Sequence, residues 1–215
     1  MSLLLFVQED ERVVVVTDTL ATDTDGAPHM FVTKCWPIPH MNTLIAATGT
    51  GAMLDRWVEF VRTRMIALDV VNLDLHTPDA LRQVWQSIAD DFPDHGLTTT
   101  IYHFGFDPDT ERAVRFTYRS KTNFESERSD EPGFGMKPPP EHPVSTSAGL
   151  VEIAEAIREE QEALPPAERI YIGGDLYMTS LSADGIGIAH LHRFGDWPAD
   201  WNAMCARSVG EMGDD

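Results

Sequence analysis

Two short runs of apolar and β-branched residues near the start of the chain constrain its folding most. They occupy residues 3 to 8 and 12 to 18, and an acidic turn at residues 9 to 11 separates them. Runs of this length on either side of a turn are typical of a β-hairpin. In such a hairpin the end of the second strand returns to the start of the first. The sequence therefore predicts that residue 18 lies beside the first residues of the chain.

Three polar residues in and around this hairpin lie at equal intervals. Ser2, Asp18 and Lys34 are separated by sixteen residues each time. The hairpin would bring Asp18 next to Ser2, and a third extended segment over residues 30 to 35 would deliver Lys34 to the same end. We therefore expect the three side chains to converge at one end of a sheet.

The chemistry that these residue types suit is nucleophilic acyl transfer. A serine at the N-terminus can use its own α-amine as a base, because that amine has a reference pKa of about 7.7 to 8.0. A lysine cation would stabilise the developing alkoxide, and an aspartate would hold the lysine in place. The turn over residues 48 to 51, Thr-Gly-Thr-Gly, lies between a predicted strand and a predicted helix and offers backbone N–H groups for an oxyanion hole.

These residues resemble the proteasome β-subunit type of N-terminal-nucleophile (Ntn) hydrolase. The resemblance runs without a gap from Ser2 to Lys34 and resumes over residues 45 to 52. It implies that Ser2 is the nucleophile, that Asp18 and Lys34 support it, and that Gly49 is the oxyanion donor. It also implies an amide-bond hydrolase, either a peptidase or an amidohydrolase, that acts on a peptide or a small amide and assembles into homo-oligomers.

A non-catalytic interpretation stays open beside this one. While Met1 is retained, the nitrogen of Ser2 is an amide and cannot act as a base, so catalysis requires removal of Met1. In addition, the family's Asp-x-x-Ser-Gly-Gly segment falls on residues 169 to 174, which keep the glycines but have Arg169 and Ile172 at the two polar positions. The alternative is a silent Ntn-like protein that serves as an oligomeric scaffold or binding module.

Apolar periodicity supplies the expected elements of the fold. It predicts helices over residues 52 to 67, 78 to 92 and 147 to 162, and strand pairs over 98 to 106 with 111 to 118 and 170 to 180 with 185 to 193. Each helix has one apolar face that needs a sheet to cover. Together with the resemblance, this predicts a single α+β domain over residues 1 to 215. Its expected architecture is the four-layer αββα sandwich of the Ntn-hydrolase type, with two mostly antiparallel sheets between helix layers.

A long segment at about residues 119 to 144 shows no regular period. Residues 132 to 135 read Pro-Gly-Phe-Gly and residues 138 to 140 are all proline, a composition that opposes regular structure. The sequence therefore predicts an irregular loop here, which is either a lid or subunit contact, or disordered.

Charge limits the classes of partner. The chain has 35 acidic and 16 basic residues, which gives a formal net charge of −19 at pH 7. Nucleic acids and anionic membranes would be repelled, so neither is expected as a partner. No stretch approaches the ~18 apolar residues of a membrane helix and no basic leader is visible, which predicts a cytoplasmic location.

The cysteines and histidines do not indicate a cofactor or a metal site. Cys35 and Cys205 are far apart in sequence, and Cys35 is expected to be buried in the core. His190 and His192 alternate along a predicted strand, but no third ligand is visible. We therefore predict that the protein uses neither a cofactor nor a metal.

Overall fold

The computed structural model describes residues 3–23, 25–91, 97–142 and 148–211. These residues contain three antiparallel sheets and five α-helices. The strands are β1 (Leu4–Gln8), β2 (Arg12–Asp18), β3 (Leu20–Thr22), β4 (Pro28–Phe31), β5 (Cys35–Ile38), β6 (Thr43–Gly49), β7 (Thr99–Phe106), β8 (Ala113–Arg119), β9 (Glu127–Ser129), β10 (Gly133–Lys137), β11 (Asp175–Ser182) and β12 (Gly185–Arg193). The helices are α1 (Gly51–Arg64), α2 (Val70–Asp74), α3 (Thr77–Asp91), α4 (Leu150–Glu162) and α5 (Trp197–Glu211).

The strands divide into sheets of five, two and five. Sheet I has the order β10-β1-β2-β11-β12, sheet II has the order β5-β6-β7-β8-β9, and the small sheet consists of β3 and β4. Apolar side chains from sheets I and II form one buried cluster between them. Helices α1, α2 and α3 share a second cluster with sheet II, and α4 shares a third with sheet I.

The N-terminal hairpin is confirmed. β1 and β2 are antiparallel with Leu4 opposite Thr17, and the N–H of Glu9 donates to the carbonyl of Arg12 across the turn at 2.8 Å. Both faces of the hairpin are buried, because alternate residues enter the cluster between the sheets and the cluster beneath α4. Burial on both faces explains why these strands read as continuous apolar runs rather than as alternating ones.

The predicted four-layer αββα sandwich is wrong. The described residues form three sheets rather than two, and the arrangement is a β-rich α+β fold. The third sheet arises because the chain between Asp18 and Lys34 is longer than a direct connection needs, and its extended backbone pairs with itself around a turn at residue 26. Helix α5 packs against this small sheet, with the ring of Trp197 stacked 5.5 Å from that of Phe31.

The segment at residues 119 to 144, which was expected to be an irregular loop, is partly regular over its described residues, which end at residue 142. It contains β9 and β10, which are outer strands of sheet II and sheet I respectively. Outer strands are short and tolerate glycine and proline, so their sequences lack the usual signal. Gly135 is required in β10, because a Cβ atom there would lie 2.1 Å from the ring of Phe6. Phe124, in the same segment, is buried in the cluster beneath the helices.

None of the helices in the described part of the chain is long and apolar enough to cross a membrane.

A buried imidazole links sheet II to α1. His103 on β7 is fully buried, and its Nε2 accepts a hydrogen bond of 2.8 Å from the indole N–H of Trp57. Its Nδ1 has no partner among the described residues. A protonated ring could not accept the bond from Trp57, so the fold holds His103 neutral.

Acid is expected to destabilise the protein through His103. Burial lowers the pKa of this imidazole from 6.5 to about 3. Between these pH values the unfolded chain binds a proton that the folded chain does not, so stability falls as the pH decreases from 6.5 towards 3. The free energy of unfolding should be lower at the acidic end by about 4 to 5 kcal/mol, as measured by urea unfolding at a series of pH values.

The matched variants are His103→Gln and His40→Gln. Glutamine at position 103 keeps an acceptor for Trp57 but does not titrate, so its stability should depend less on pH than that of the wild type. His40 is exposed, and its substitution should leave the profile unchanged. Identical profiles for wild type and His103→Gln would assign the acid sensitivity to other groups.

Candidate functional site

A buried ion pair lies at the end of β2. Lys34 Nζ donates to Asp18 Oδ1 at 2.9 Å, and the side chains are 6% and 0% exposed. The expected convergence of Asp18 and Lys34 is therefore present. Ser2, the third member of the predicted cluster, lies outside the described residues.

Asp18 accepts hydrogen bonds on both carboxylate oxygens. Oδ1 accepts from the N–H of Leu3 at 3.0 Å as well as from Lys34, and Oδ2 accepts from the N–H of Gly173 at 3.2 Å. These donors come from the start of β1, from the connection before β5 and from the segment before β11. One carboxylate thus joins three parts of the chain that are far apart in sequence.

Lys34 also binds the backbone of the small sheet. Its ammonium donates to the carbonyl of Leu20 at 2.5 Å. Since an ammonium has three donors, one N–H has no acceptor among the described residues. Burial lowers the pKa of Lys34 below its ordinary value, although the charge of Asp18 opposes the shift. The site therefore holds a cation that is less costly to deprotonate than a surface lysine.

The structural element that contains Lys34 differs from the prediction. The expected extended segment over residues 30 to 35 is interrupted, since β4 ends at Phe31 and β5 begins at Cys35. Lys34 lies in the connection between them, which is held by the N–H of Val32 donating to the carbonyl of Thr19 at 2.8 Å. Cys35 is buried as expected, and burial raises the pKa of its thiol to about 12.

Gly49, at the end of β6, lines the same cavity as Lys34. A cavity of about 320 Å³ is lined by Lys34, Gly49, Thr50, Gly51 and neighbouring residues of the small sheet. We refer to it as the lysine cavity. Gly49 has a φ of 104°, and a Cβ atom there would lie 2.1 Å from the carbonyl oxygen of Thr98. Only glycine fits this position, so the backbone of residue 49 is exposed to the cavity without a side chain over it.

The contacts that the sequence did not reveal are all made by backbone groups. The carbonyl of Leu20 and the N–H of Gly173 complete the surroundings of the ion pair. A Cβ at Gly173 would lie 2.9 Å from Leu20 Cδ2, so glycine at this position permits the close approach of the two segments. No side-chain pattern marks a backbone ligand, so the pair of glycines was the available signal.

The two strand histidines contact single carboxylates. His190 Nε2 lies 2.9 Å from Asp175 Oδ1, and His192 Nε2 lies 2.9 Å from Glu155 Oε1. Within the described ranges, no group of three or more His, Cys, Asp or Glu side chains is placed to hold a metal ion. Asp175 also binds Arg193, which together with His190 keeps the pKa of this carboxyl low in spite of its burial.

No model of a known protein family and no curated protein matches this sequence.

Asp18 and Lys34 are expected to depend on each other for stability. Asp18→Asn removes the counter-charge of Lys34, and Lys34→Met leaves the carboxylate unpaired; breaking a buried pair from one side costs about 3 to 5 kcal/mol. The double variant removes both charges and should lose less than the sum of the two single losses. Urea unfolding of the four proteins measures this coupling.

The exposed pair of Glu9 and Arg12 provides the control. Its nitrogen and oxygen are 3.3 Å apart, and both side chains are more than half exposed. Arg12→Gln should therefore cost no more than about 1 kcal/mol. Additive losses in the Asp18→Asn/Lys34→Met double variant would mean that the buried charges do not support each other.

Proposed function

We propose that this protein hydrolyses amide bonds in peptides or small amides, with Ser2 as the nucleophile after removal of Met1. One observation carries the proposal. The nitrogen of Leu3, which forms the peptide bond to Ser2, lies 3.0 Å from the same Asp18 oxygen that Lys34 contacts at 2.9 Å. Ser2 is therefore covalently attached to an atom of the ion-pair site.

The reaction proceeds in two steps. The hydroxyl oxygen of Ser2 adds to the substrate carbonyl carbon while the α-amine of Ser2 takes the hydroxyl proton, and that proton then passes to the leaving amine as the C–N bond breaks. Water attacks the resulting ester of Ser2, with the α-amine again as the base. The ester bond breaks, a carboxylic acid leaves, and the serine hydroxyl is restored.

Lys34 and Gly49 stabilise negative charge in this scheme. The N–H of Lys34 without an acceptor among the described residues is assigned to the serine oxygen, where the cation favours the developing alkoxide. The N–H of Thr50 already donates to the carbonyl of Thr98 at 3.2 Å. The proposal therefore assigns the N–H of Gly49, in the wall of the same cavity, to the oxyanion of the tetrahedral intermediate.

The proposal places the enzyme in the cytoplasm. Both cysteines are free thiols, as is usual in a reducing compartment. The formal charge of −19 opposes nucleic acid or anionic membrane as a partner. The proposed substrates are peptides and small amides.

Covalent labelling tests the nucleophile. Protein without Met1 is expected to react with a β-lactone and to gain its mass on the N-terminal peptide, as measured by mass spectrometry of the digested protein. Ser2→Ala should abolish the labelling, while Ser2→Thr should retain it because a hydroxyl remains. Loss of the cation in the charge-neutral Asp18→Asn/Lys34→Met variant should slow labelling by about 10² to 10³.

The form that retains Met1 is the matched control. Its Ser2 hydroxyl is unchanged, but the nitrogen lone pair is part of an amide and cannot accept the proton. It should therefore label no faster than Ser2→Ala. Equal labelling of the trimmed, untrimmed and Ser2→Ala proteins would show that the reactive group lies elsewhere.

A non-catalytic oligomeric scaffold is the second candidate, and two features favour it. Asp18 is fully buried with all its described donors inside the fold, as in a structural ion pair. Trp201 is 49% exposed and stacks 5.6 Å from Trp197, an aromatic surface suited to a contact between copies.

If the protein is such a scaffold, light scattering should show an oligomer, and the Trp201→Ser substitution should lower its mass. Leu68→Ser, at an exposed leucine elsewhere, should leave the mass unchanged. A monomeric mass at every concentration would eliminate the scaffold.

A further inference from the structure

All three lysines of the chain line one of two cavities that meet at Gly49. The sequence has three lysines and thirteen arginines. Lys34 lines the lysine cavity, whereas Lys121 and Lys137 line a second cavity of about 250 Å³. Thr48 and Gly49 line both, so they form the wall between them. We refer to the second one as the cationic cavity.

The cationic cavity lies between sheets I and II. Lys137 ends β10 of sheet I, Arg119 ends β8 of sheet II, and Lys121 belongs to the turn that follows Arg119. Thr98 and Thr100, whose hydroxyls are hydrogen-bond donors, also line it. None of the aspartates and glutamates in the described ranges lines this cavity.

Two of the three cations that line this cavity have no ion-pair partner among the described residues. Arg119 forms an ion pair with Glu127. Lys121 and Lys137 have no carboxylate within 4 Å among residues 3–23, 25–91, 97–142 and 148–211. Acidic residues outnumber basic ones by 35 to 16 in the chain, whereas the charged residues that line this cavity in the described part of the chain are all basic. A cavity lined by one sign of charge concentrates ions of the opposite sign.

We propose that the cationic cavity is a subsite that binds a carboxylate group of the substrate through Lys121 and Lys137. This inference rests on the proposed function, since it places the scissile carbonyl at Gly49. A substrate bound there extends into the lysine cavity on one side of the wall and into the cationic cavity on the other. Aspartate and glutamate side chains and a free C-terminus are the anionic groups of a peptide, so the anion is a carboxylate close to the cleaved bond.

The first experiment measures binding without catalysis. Ser2→Ala protein is titrated by calorimetry with glutarate, with its uncharged analogue glutaramide and with inorganic phosphate. Saturable binding of glutarate, but not of glutaramide, is expected, and it should weaken as salt is added because the contact is ionic. The Lys121→Gln/Lys137→Gln double variant should lose this binding. Arg12→Gln/Arg62→Gln, which removes the same charge elsewhere on the surface, should keep it.

The second experiment measures selectivity. Met1-free enzyme is given matched peptides that differ by glutamate or glutamine at single positions on either side of the cleaved bond. At one position the kcat/KM of the glutamate peptide should be about tenfold higher than that of the glutamine peptide, because two partly exposed ion pairs contribute about this much. Lys121→Glu/Lys137→Glu should invert the preference and favour a lysine peptide. Because this result is a gain of activity, a misfolded variant cannot produce it.

The outcomes separate the subsite from the proposed activity. Glutarate binding that depends on the two lysines, in a protein that hydrolyses nothing, supports the anion site and overturns the hydrolase. Hydrolysis without a glutamate preference, together with no glutarate binding, overturns the subsite and leaves the hydrolase. Binding of phosphate but not of glutarate overturns the assignment to a carboxylate, and so does glutarate binding that survives in Lys121→Gln/Lys137→Gln.

Discussion

The buried carboxylate of Asp18 is the constraint on which the rest of this structure depends. An ionised carboxyl group with no exposure to solvent is tolerated only if the protein supplies a counter-charge and hydrogen bonds. Here the start of β1, the connection before β5 and the segment before β11 each supply a donor. The hydrogen bonds to the Asp18 carboxylate therefore fix how sheet I, the small sheet and the start of sheet II meet. The lysine cavity lies at this junction.

The parts of the fold that sequence predicted well are those with a strong apolar pattern. The N-terminal hairpin, α1, α3 and α4 bury continuous runs or regular stripes, and such patterns report burial directly. The pairing of Asp18 with Lys34 followed from the same reasoning, because a hairpin turns an interval in sequence into a distance in space.

The parts that could not be predicted are held by contacts that leave little trace in sequence. β3, β4, β9 and β10 are short and lie at edges or in a sheet of their own, so their residues carry no sustained alternation. Helix α5 packs on the small sheet through aromatic stacking, a partner that periodicity does not reveal. Once β3 and β4 form a third sheet, the expected two-sheet sandwich no longer describes the molecule. Around Asp18, the carbonyl and N–H groups that complete the site have no residue type of their own.

The outer edge of sheet I bears on how this protein behaves in concentrated solution. Among the described strands nothing pairs with the free edge of β12, and Ile188 on that strand is 60% exposed. A bare strand edge of nine residues is a template on which another extended chain can add. The formal charge of −19 keeps copies apart by long-range repulsion, but ~1 M salt shortens the range of that repulsion to ~3 Å. The colloidal stability of the folded molecule is therefore set by the solvent, and dilute neutral buffers protect the edge that the fold leaves open.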